Sequence, residues 1–295
     1  MELIRRGQVS EPSKCAVCGR TTSTGIVSWH LVCPNCGYEA STLQASIPTD
    51  PTVGQLDEDL RAAALQSLRR RNFQRLLESV TAQVSGGSLL DVGSAHGWFL
   101  ELASATYSVT GIEPDRRTVD SLADMPWPVI RGYFPGDVPP GRRFDVITFN
   151  DTLEHIADIR GALEACRKSL NTDGVLALAL PSTSGAIYRT SKLLCRLGVR
   201  SPFARMWQKG LPSPHLHYIR LSNLRMLLSS CGFEVAEAGA LRSISVEGLR
   251  ERIAFTGGVG AIAQWLYFMG FVAATPLLRA LPSDAIYVIA RPRTP

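Results

Sequence analysis

Residues Leu89–Leu100 read LLDVGSAHGWFL. Ser88–Leu90 and Val92 make a short apolar run of the kind that forms a buried strand, and Asp91 and Gly93 end it. Gly97 opens a helical stretch, Gly97–Ala103. A glycine-bearing turn between strand and helix lets a ligand approach the backbone closely. The helix N-terminus behind it offers unpaired N–H groups. Taken alone, the same pattern also serves as an ordinary tight turn.

The neighbouring sequence narrows the choice. A second strand-like run, Ser108–Ile112, ends in Glu113, which lies 22 residues after Asp91. In a nucleotide-binding βαβ unit, an acid at that strand end hydrogen-bonds ribose hydroxyls. A third apolar run, Phe144–Phe149, precedes the polar set Asn150, Asp151, Glu154 and His155, with Glu154 and His155 expected to open a helix. Leu170–Gly174 then leads into a further strand, Val175–Leu180.

In order and spacing, the pieces DVGSAHG, GIEPD, FDVITFNDTLEHIAD and LNTDGVLALALP resemble the class I S-adenosylmethionine-dependent methyltransferases of the small-molecule type. The resemblance runs from Leu56 to Arg291, with Ala95 standing where the family turn has its middle glycine. A dinucleotide oxidoreductase would instead carry GxGxxG, but Gly93 and Gly97 are four apart with no third glycine. The resemblance implies an α/β fold, a Rossmann-like seven-stranded sheet, mostly parallel with its last strand antiparallel. It implies S-adenosylmethionine as cofactor, met by Asp91, Gly93, Ser94, Gly97, Glu113 and Asn150. Val129–Arg131 then reads as the third strand, Gly232–Ala240 as the sixth and Ala285–Arg291 as the seventh. Tyr133 and Phe134 fall where the family contacts the adenine, and a core role competes for Phe134.

Nearer the start, Cys15-x2-Cys18 and Cys33-x2-Cys36 are separated by 14 residues. Two such pairs can place four thiolates tetrahedrally around Zn²⁺. Gly19 and Gly37 permit the tight turns, and Thr21–Trp29 suits a short hairpin between them. A redox-active CxxC would want a thioredoxin-like βαβ context that is missing here. With all four cysteines used in a closed site, the zinc is expected to be structural. A module this small has too little core of its own, so metal binding supplies most of its folding free energy.

The domain plan is thus a zinc ribbon over 1–41, a linker over 42–55 and the methyltransferase domain over 56–295. The helix expected from Leu56 to about Val84 carries Arg61, Arg69, Arg70, Arg71 and Arg75 beside its apolar positions, either a solvated basic face or a phosphate- or membrane-facing patch. Residues 182–217 form an insertion rich in Lys and Arg, without Asp or Glu, that also holds Tyr188, Phe203 and Trp207. In the family this position is a lid over the acceptor. A cationic, aromatic lid suits an anionic acceptor; a solvated surface helix is the other reading. His215 follows, in PHLHYIRLSNLRMLLSSCGFEV, and is the candidate general base, with His217 behind it. His155 is expected to cap and pack.

Residues 257–278 carry no charge over 22 positions. Length alone allows a membrane span, but a span would place the seventh strand across the membrane from its own sheet. Peripheral contact with one leaflet, or burial against the sheet or a second subunit in a homodimer, stays open.

The chain has 295 residues, 45% of them hydrophobic and 19% charged, with a net charge of +5. That mild charge does not by itself point to nucleic acid. The first residues lack the apolar core of a secretory signal, and the seven cysteines are not a secreted disulfide framework. A cytoplasmic location, including the inner face of the membrane, is therefore expected. Three functions stay open. The first is O-methylation of a small-molecule, sugar or lipid-linked acceptor in a biosynthetic pathway. The second is RNA methylation with the ribbon docking RNA, against which no NPPY-like or Cys-nucleophile motif appears. The third is a non-catalytic scaffold on the same fold.

Overall fold

The computed structural model describes residues 14–44, 55–244 and 261–293. Most of the expected linker, 45–54, and residues 257–260 of the apolar segment lie outside them.

The chain begins with β1 (Ser23–Thr24), β2 (His30–Val32) and β3 (Glu39–Ser41), followed by the long helix α1 (Gln55–Gln83). The alternating α/β part runs β4 (Ser88–Val92), α2 (Trp98–Ala103), β5 (Ser108–Glu113), α3 (Arg116–Ser121), β6 (Val129–Arg131), β7 (Phe144–Asn150), α4 (Ile159–Ser169) and β8 (Leu170–Pro181). The insertion holds α5 (Ala186–Arg196) and α6 (Ser201–Met206), and ends in the short strand β9 (His217–Tyr218). Then come α7 (Leu221–Ser230), β10 (Phe233–Leu241), α8 (Ala261–Ala280) and β11 (Ala285–Pro292).

Seven strands form one sheet in the order β10-β11-β8-β7-β4-β5-β6. The neighbours from β8 to β6 pair in parallel, and β11 runs antiparallel to both β8 and β10. This is the expected Rossmann-like topology, including its antiparallel last strand. Burial follows the strand period of two. Leu89, Val146, Val175, Ala177 and Ile289 face α1 and α2, where Leu76, Val80, Phe99 and Leu100 meet them. Leu90, Ile147, Leu176, Leu178 and Val288 face the other way, toward Leu163 of α4 and Leu224 and Leu228 of α7. With helices on both faces, the central strands read as near-continuous apolar runs rather than alternating ones.

The small sheet departs from a free-standing ribbon. Its order is β1-β2-β3-β9, so its fourth strand comes from the far end of the insertion, with Ala40 paired to His217 and Glu39 to Tyr218. Its apolar side chains, Val17, Leu31, Tyr38 and Ala40, belong to the same core as the α4/α7 face of the large sheet.

The insertion is also not an open lid. Tyr188, Phe203 and Trp207 are fully buried and pack with Tyr218 against Trp29, Ile26 and Val27 of the cysteine module. Trp29 stacks on Phe203 with ring centroids 5.7 Å apart. The aromatic residues expected to face an acceptor instead seat the module, because an indole or phenol ring gains most when another apolar surface covers it.

Two arginines of α1, Arg70 and Arg75, engage neighbours within the fold. Arg70 pairs with Glu101, and Arg75 reaches Glu237 at 3.7 Å and the Tyr287 hydroxyl at 3.1 Å. Neither reading made from the sequence anticipated these partners.

Candidate active site and four-cysteine centre

At the carboxyl ends of β4, β5 and β7 the chain leaves three strands in succession, which is where ligands bind in open parallel sheets. The turn after β4 is held from below, with Gly93 N–H donating to the Ile112 carbonyl at 2.8 Å. Gly93 has φ +73°, and a Cβ there would lie 2.5 Å from Thr152, so the position excludes any side chain. Across the turn, Ser94 lies over β5, where a Cβ on Gly111 would come within 2.6 Å of its hydroxyl. Glu113 closes the turn, one carboxylate oxygen accepting from Ala95 N–H and the other from Asp115 N–H, both at 3.0 Å. Ala95 and Asp151 both adopt left-handed backbone, at φ 43° and 52°. That conformation disfavours residues with a Cβ and gathers at ligand sites.

Asp91 sits beneath the turn, 1% exposed, accepting from Thr148 Oγ1 at 2.7 Å and Asn150 Nδ2 at 3.0 Å. Burial pushes its carboxyl up to about 7 against those hydrogen bonds, and the Glu113 charge adds to the rise. Burial likewise raises Glu113. Three buried polar atoms around the turn have no partner among the described residues: Ser94 Oγ, Asn150 Oδ1 and Trp127 Nε1. A buried polar atom without a partner costs about 1–3 kcal/mol. A cradle closed to side chains and lined by such atoms fits a bound polar ligand carrying hydroxyl, amine and ring-nitrogen groups.

The pH response of Asp91 can be worked out in sign. In the unfolded chain this carboxyl titrates near 4. Between there and about 7 the folded protein holds a proton that the unfolded chain has released, so stability rises as pH falls through that window. From about pH 8 to about pH 6.5 the gain is roughly 1 kcal/mol. Asp91→Asn keeps an acceptor oxygen for Thr148 and Asn150 and loses this share of the dependence, leaving the shares of Glu113 and Glu154. Denaturant midpoints of both proteins at both pH values check this; parallel pH trends in the two would refute it.

Beyond β7 the chain makes a short 3-10 turn, Leu153–His155, rather than the start of a helix. Helix α4 begins only at Ile159, where Asp158 caps it by accepting from Gly161 N–H at 2.9 Å. This places Glu154, His155 and His215 together, with one ligand atom of each within 4.8 Å of the others. Glu154 is 1% exposed, burial raises its carboxyl well above the usual range, and its Oε2 has no hydrogen-bond partner among the described residues. His215 Nε2 lies 3.9 Å from Glu154 Oε1 and accepts from the Gln208 amide at 2.8 Å. The His155 ring lies edge-on to His215 with centroids 4.8 Å apart, and His155 Nδ1 bonds the Pro214 carbonyl at 3.0 Å.

His217 is placed differently. It is buried between Tyr38, whose hydroxyl donates to Nδ1, and the Ile156 carbonyl, which accepts from Nε2 at 2.8 Å. Burial pulls its imidazole down to about 4, so it stays neutral and joins the module to the site loop.

The four cysteines converge. Cys15 and Cys36 sulfurs are 3.6 Å apart, those of Cys18 and Cys33 are 3.5 Å apart, and all four lie within 4.8 Å of one another. A tetrahedron with metal–sulfur bonds of about 2.3 Å has edges of about 3.8 Å. Each knuckle turn closes through its glycine, Gly19 N–H to Cys15 O at 2.9 Å and Gly37 N–H to Cys33 O at 2.8 Å. Burial raises the thiols of Cys15 and Cys36, so ionising all four here would call for a cation.

The module is tied into the site. Arg220 and Asn223 both donate to the Cys36 carbonyl, at 2.6 and 2.9 Å. Buried Glu39 accepts from His30 and Tyr188, each at 2.7 Å, and from Lys192 at 2.6 Å. Burial alone would raise this carboxyl, but the His30 and Lys192 hydrogen bonds hold it below its ordinary value. Ser41 fixes the candidate base itself, its hydroxyl donating to the His215 carbonyl at 2.8 Å and its N–H to Leu216 O at 2.9 Å.

The structure thus brings Asp91, Gly93, Ser94, Gly97, Glu113 and Asn150 together around one turn. It holds His215 near the following loop and sets Cys15, Cys18, Cys33 and Cys36 apart, on a support that reaches His215 through β3. Thr152, Gly111, Trp127 and Glu39 were not anticipated from the sequence. Phe134 packs edge-on against Phe149 at 5.7 Å, and Tyr133 is exposed.

A family model described as "Methyltransferase domain" matches residues 61–238. The ubiquinone biosynthesis O-methyltransferase of Rhodopseudomonas palustris (strain TIE-1) is 25% identical over 126 residues, covering 41% of this chain and 49% of that protein. The chain therefore spans about half the length of the curated relatives it matches. Among solved structures, the complex between the Haloferax volcanii Trm112 methyltransferase activator and its methyltransferase aligns with TM-score 0.56 at 14% identity, over 81% of this chain and 96% of that one. An S-adenosylmethionine-dependent methyltransferase from Clostridium acetobutylicum ATCC 824 aligns with TM-score 0.52 at 8% identity, over 81% and 98%. At such identities these two structures establish the shared fold.

Proposed function

Because the chain belongs to the methyltransferase-domain family, we propose that it transfers the methyl group of S-adenosylmethionine to an oxygen of a small-molecule, sugar or lipid-linked acceptor in a biosynthetic pathway. The observation that carries this reading is the closed cradle at Gly93, with Glu113 at its rim and the unpartnered Ser94, Asn150 and Trp127 atoms around it. The name of the Rhodopseudomonas relative supports oxygen as the acceptor atom.

When bound, the cofactor supplies a methyl carbon already activated by its sulfonium. The protein's share is to hold the partners in line, keep water out and take up a proton. Glu113 retains acceptor capacity for ribose hydroxyls, and Asp91 orients the turn. Asn150 and Ser94 offer their open valences to the amino-acid end of the cofactor. His215 takes up the acceptor's proton at Nε2 as the acceptor hydroxyl displaces the Gln208 amide, and Glu154, kept neutral by burial, orients the ring. The four cysteines hold a structural zinc ion.

Calorimetric titration with S-adenosylhomocysteine tests the reading. We expect micromolar binding to the zinc-loaded chain, weakened at least tenfold by Glu113→Ala, since the substitution removes a charged acceptor from a buried site. A folded protein that takes up no S-adenosylhomocysteine would overturn it.

A further inference from the structure

Helix α5 presents three faces. Tyr188, Ser191 and Cys195 are buried against the module. On the opposite side Leu193 and Leu197, four residues apart, face solvent at 55% and 72% exposure, with exposed Ile187 on the first turn and exposed Val199 just beyond the helix. Exposed Arg189, Arg196 and Arg200 run beside that stripe. Residues 182–217 carry six Lys or Arg and no acid. Lys192 spends its charge on Glu39, while Arg205 and Lys209 are exposed with the others.

Helix α8 is the second part. Its 20 residues include no acidic side chain, and Trp265 and Met269 stand out from it at 57% and 44% exposure. The two helices meet end to end. Ala186 N–H donates to the Pro282 carbonyl at 2.9 Å, and Ile187 and Tyr188 N–H groups donate to the Asp284 carboxylate at 3.1 and 2.7 Å. Exposed Leu281 lies at that junction. None of the described helices is long and apolar enough to cross a membrane.

We propose that the exposed stripe of α5, with α8 beyond its N-terminus, seats on an anionic membrane surface. Large exposed apolar patches mark interaction sites. Apolar side chains bordered by arginines, in a segment that itself carries no acid, match an interfacial helix lying in the headgroup plane, and charge complementarity selects anionic lipid. The face lies opposite Tyr188 and the module, so docking leaves the core contacts of α5 in place. The inference goes beyond the proposed reaction and does not depend on it: vesicle binding and cofactor binding are separate readouts.

The test is co-sedimentation of the full zinc-loaded chain with vesicles of equal parts phosphatidylcholine and phosphatidylglycerol, and with phosphatidylcholine alone. Each basic residue near an anionic surface contributes roughly fivefold to partitioning. We expect binding to the mixed vesicles, at least tenfold stronger than to phosphatidylcholine and weakened by salt. Arg189→Gln with Arg196→Gln, and separately Leu193→Glu with Leu197→Glu, should each reduce it tenfold or more while S-adenosylhomocysteine affinity is unchanged. Failure to bind mixed vesicles overturns the proposal, as does binding that neither pair alters. Self-association abolished by the Leu193 and Leu197 substitutions, without vesicle binding, assigns the face to a second copy and also overturns it.

Discussion

Stripping the metal from the four-cysteine module, or replacing Cys33 with serine, is expected to cost the protein its acceptor-side wall while its cofactor cradle survives. Thiolates at 3.5–3.6 Å spacing are tolerable only around a cation, and zinc binding to small cysteine modules contributes roughly 10–16 kcal/mol of apparent folding free energy at neutral pH. That is comparable with the whole stability of an ordinary domain, about 5–15 kcal/mol. The damage spreads along identifiable contacts. Losing β3 removes the partner of β9 and both Ser41 bonds that fix His215 and Leu216. It also leaves Tyr188, Phe203 and Trp207 without the surface that covers them. Asp91, Glu113 and Asn150 sit on strands of the other sheet and keep their partners. The expected results are one zinc per chain by elemental analysis and a midpoint lowered by at least 10 °C in Cys33→Ser. Methyl transfer should fall more than a hundredfold, with S-adenosylhomocysteine affinity within about threefold of the parent. A chelated chain with unchanged midpoint and turnover would show that the cysteines hold no structural metal.

The contrast between those two halves also explains what could be read from the sequence. The strands β4, β5 and β7 were legible because each is a short, largely buried apolar run, and the turn at Gly93 because strand, glycine and helix are consecutive. The cysteine pairs were legible for the same reason, since two knuckles carry their chemistry in local spacing. What connects these parts was not legible. Tyr38 and His217 lie 179 positions apart, and Glu39 and Tyr188 lie 149 apart. No local pattern announces that a buried carboxylate on a three-residue strand will collect a histidine, a tyrosine and a lysine. The insertion misled for a related reason. Tyr188, Phe203 and Trp207 among arginines look ligand-facing when the covering surface comes from a segment more than 150 residues earlier. The turn at Leu153–His155 was misread as a helix start, although Asp158, three residues before Gly161, carried the capping signal for α4. That error mattered, because the 3-10 turn is what holds Glu154 within reach of His215.

Replacing His215 with phenylalanine should lower turnover by roughly a hundredfold to ten-thousandfold, the span expected when a positioned base is lost. The residue is 7% exposed, so water does not replace its ring readily. Gln208 donates to Nε2, which keeps that nitrogen an acceptor in the neutral ring, and Glu154 stands 3.9 Å away. Phenylalanine keeps the packing on His155 and Tyr218 but accepts no proton. Because Ser41 grips the backbone of residue 215 rather than its side chain, the fold and the cofactor cradle should be indifferent to the change. The kinetic signature separates a base from a packing residue. A base predicts a fall in kcat with KM and S-adenosylhomocysteine affinity nearly unchanged, and part of the lost rate recovered as pH is raised and more acceptor ionises unaided. Glu154→Gln should produce a smaller fall in kcat, since it alters only a buried group that orients the ring, and the Glu154 and His215 effects should combine less than additively. If His215→Phe instead raises KM while kcat holds, the imidazole positions the acceptor, and proton removal passes to solvent or to the acceptor's own acidity.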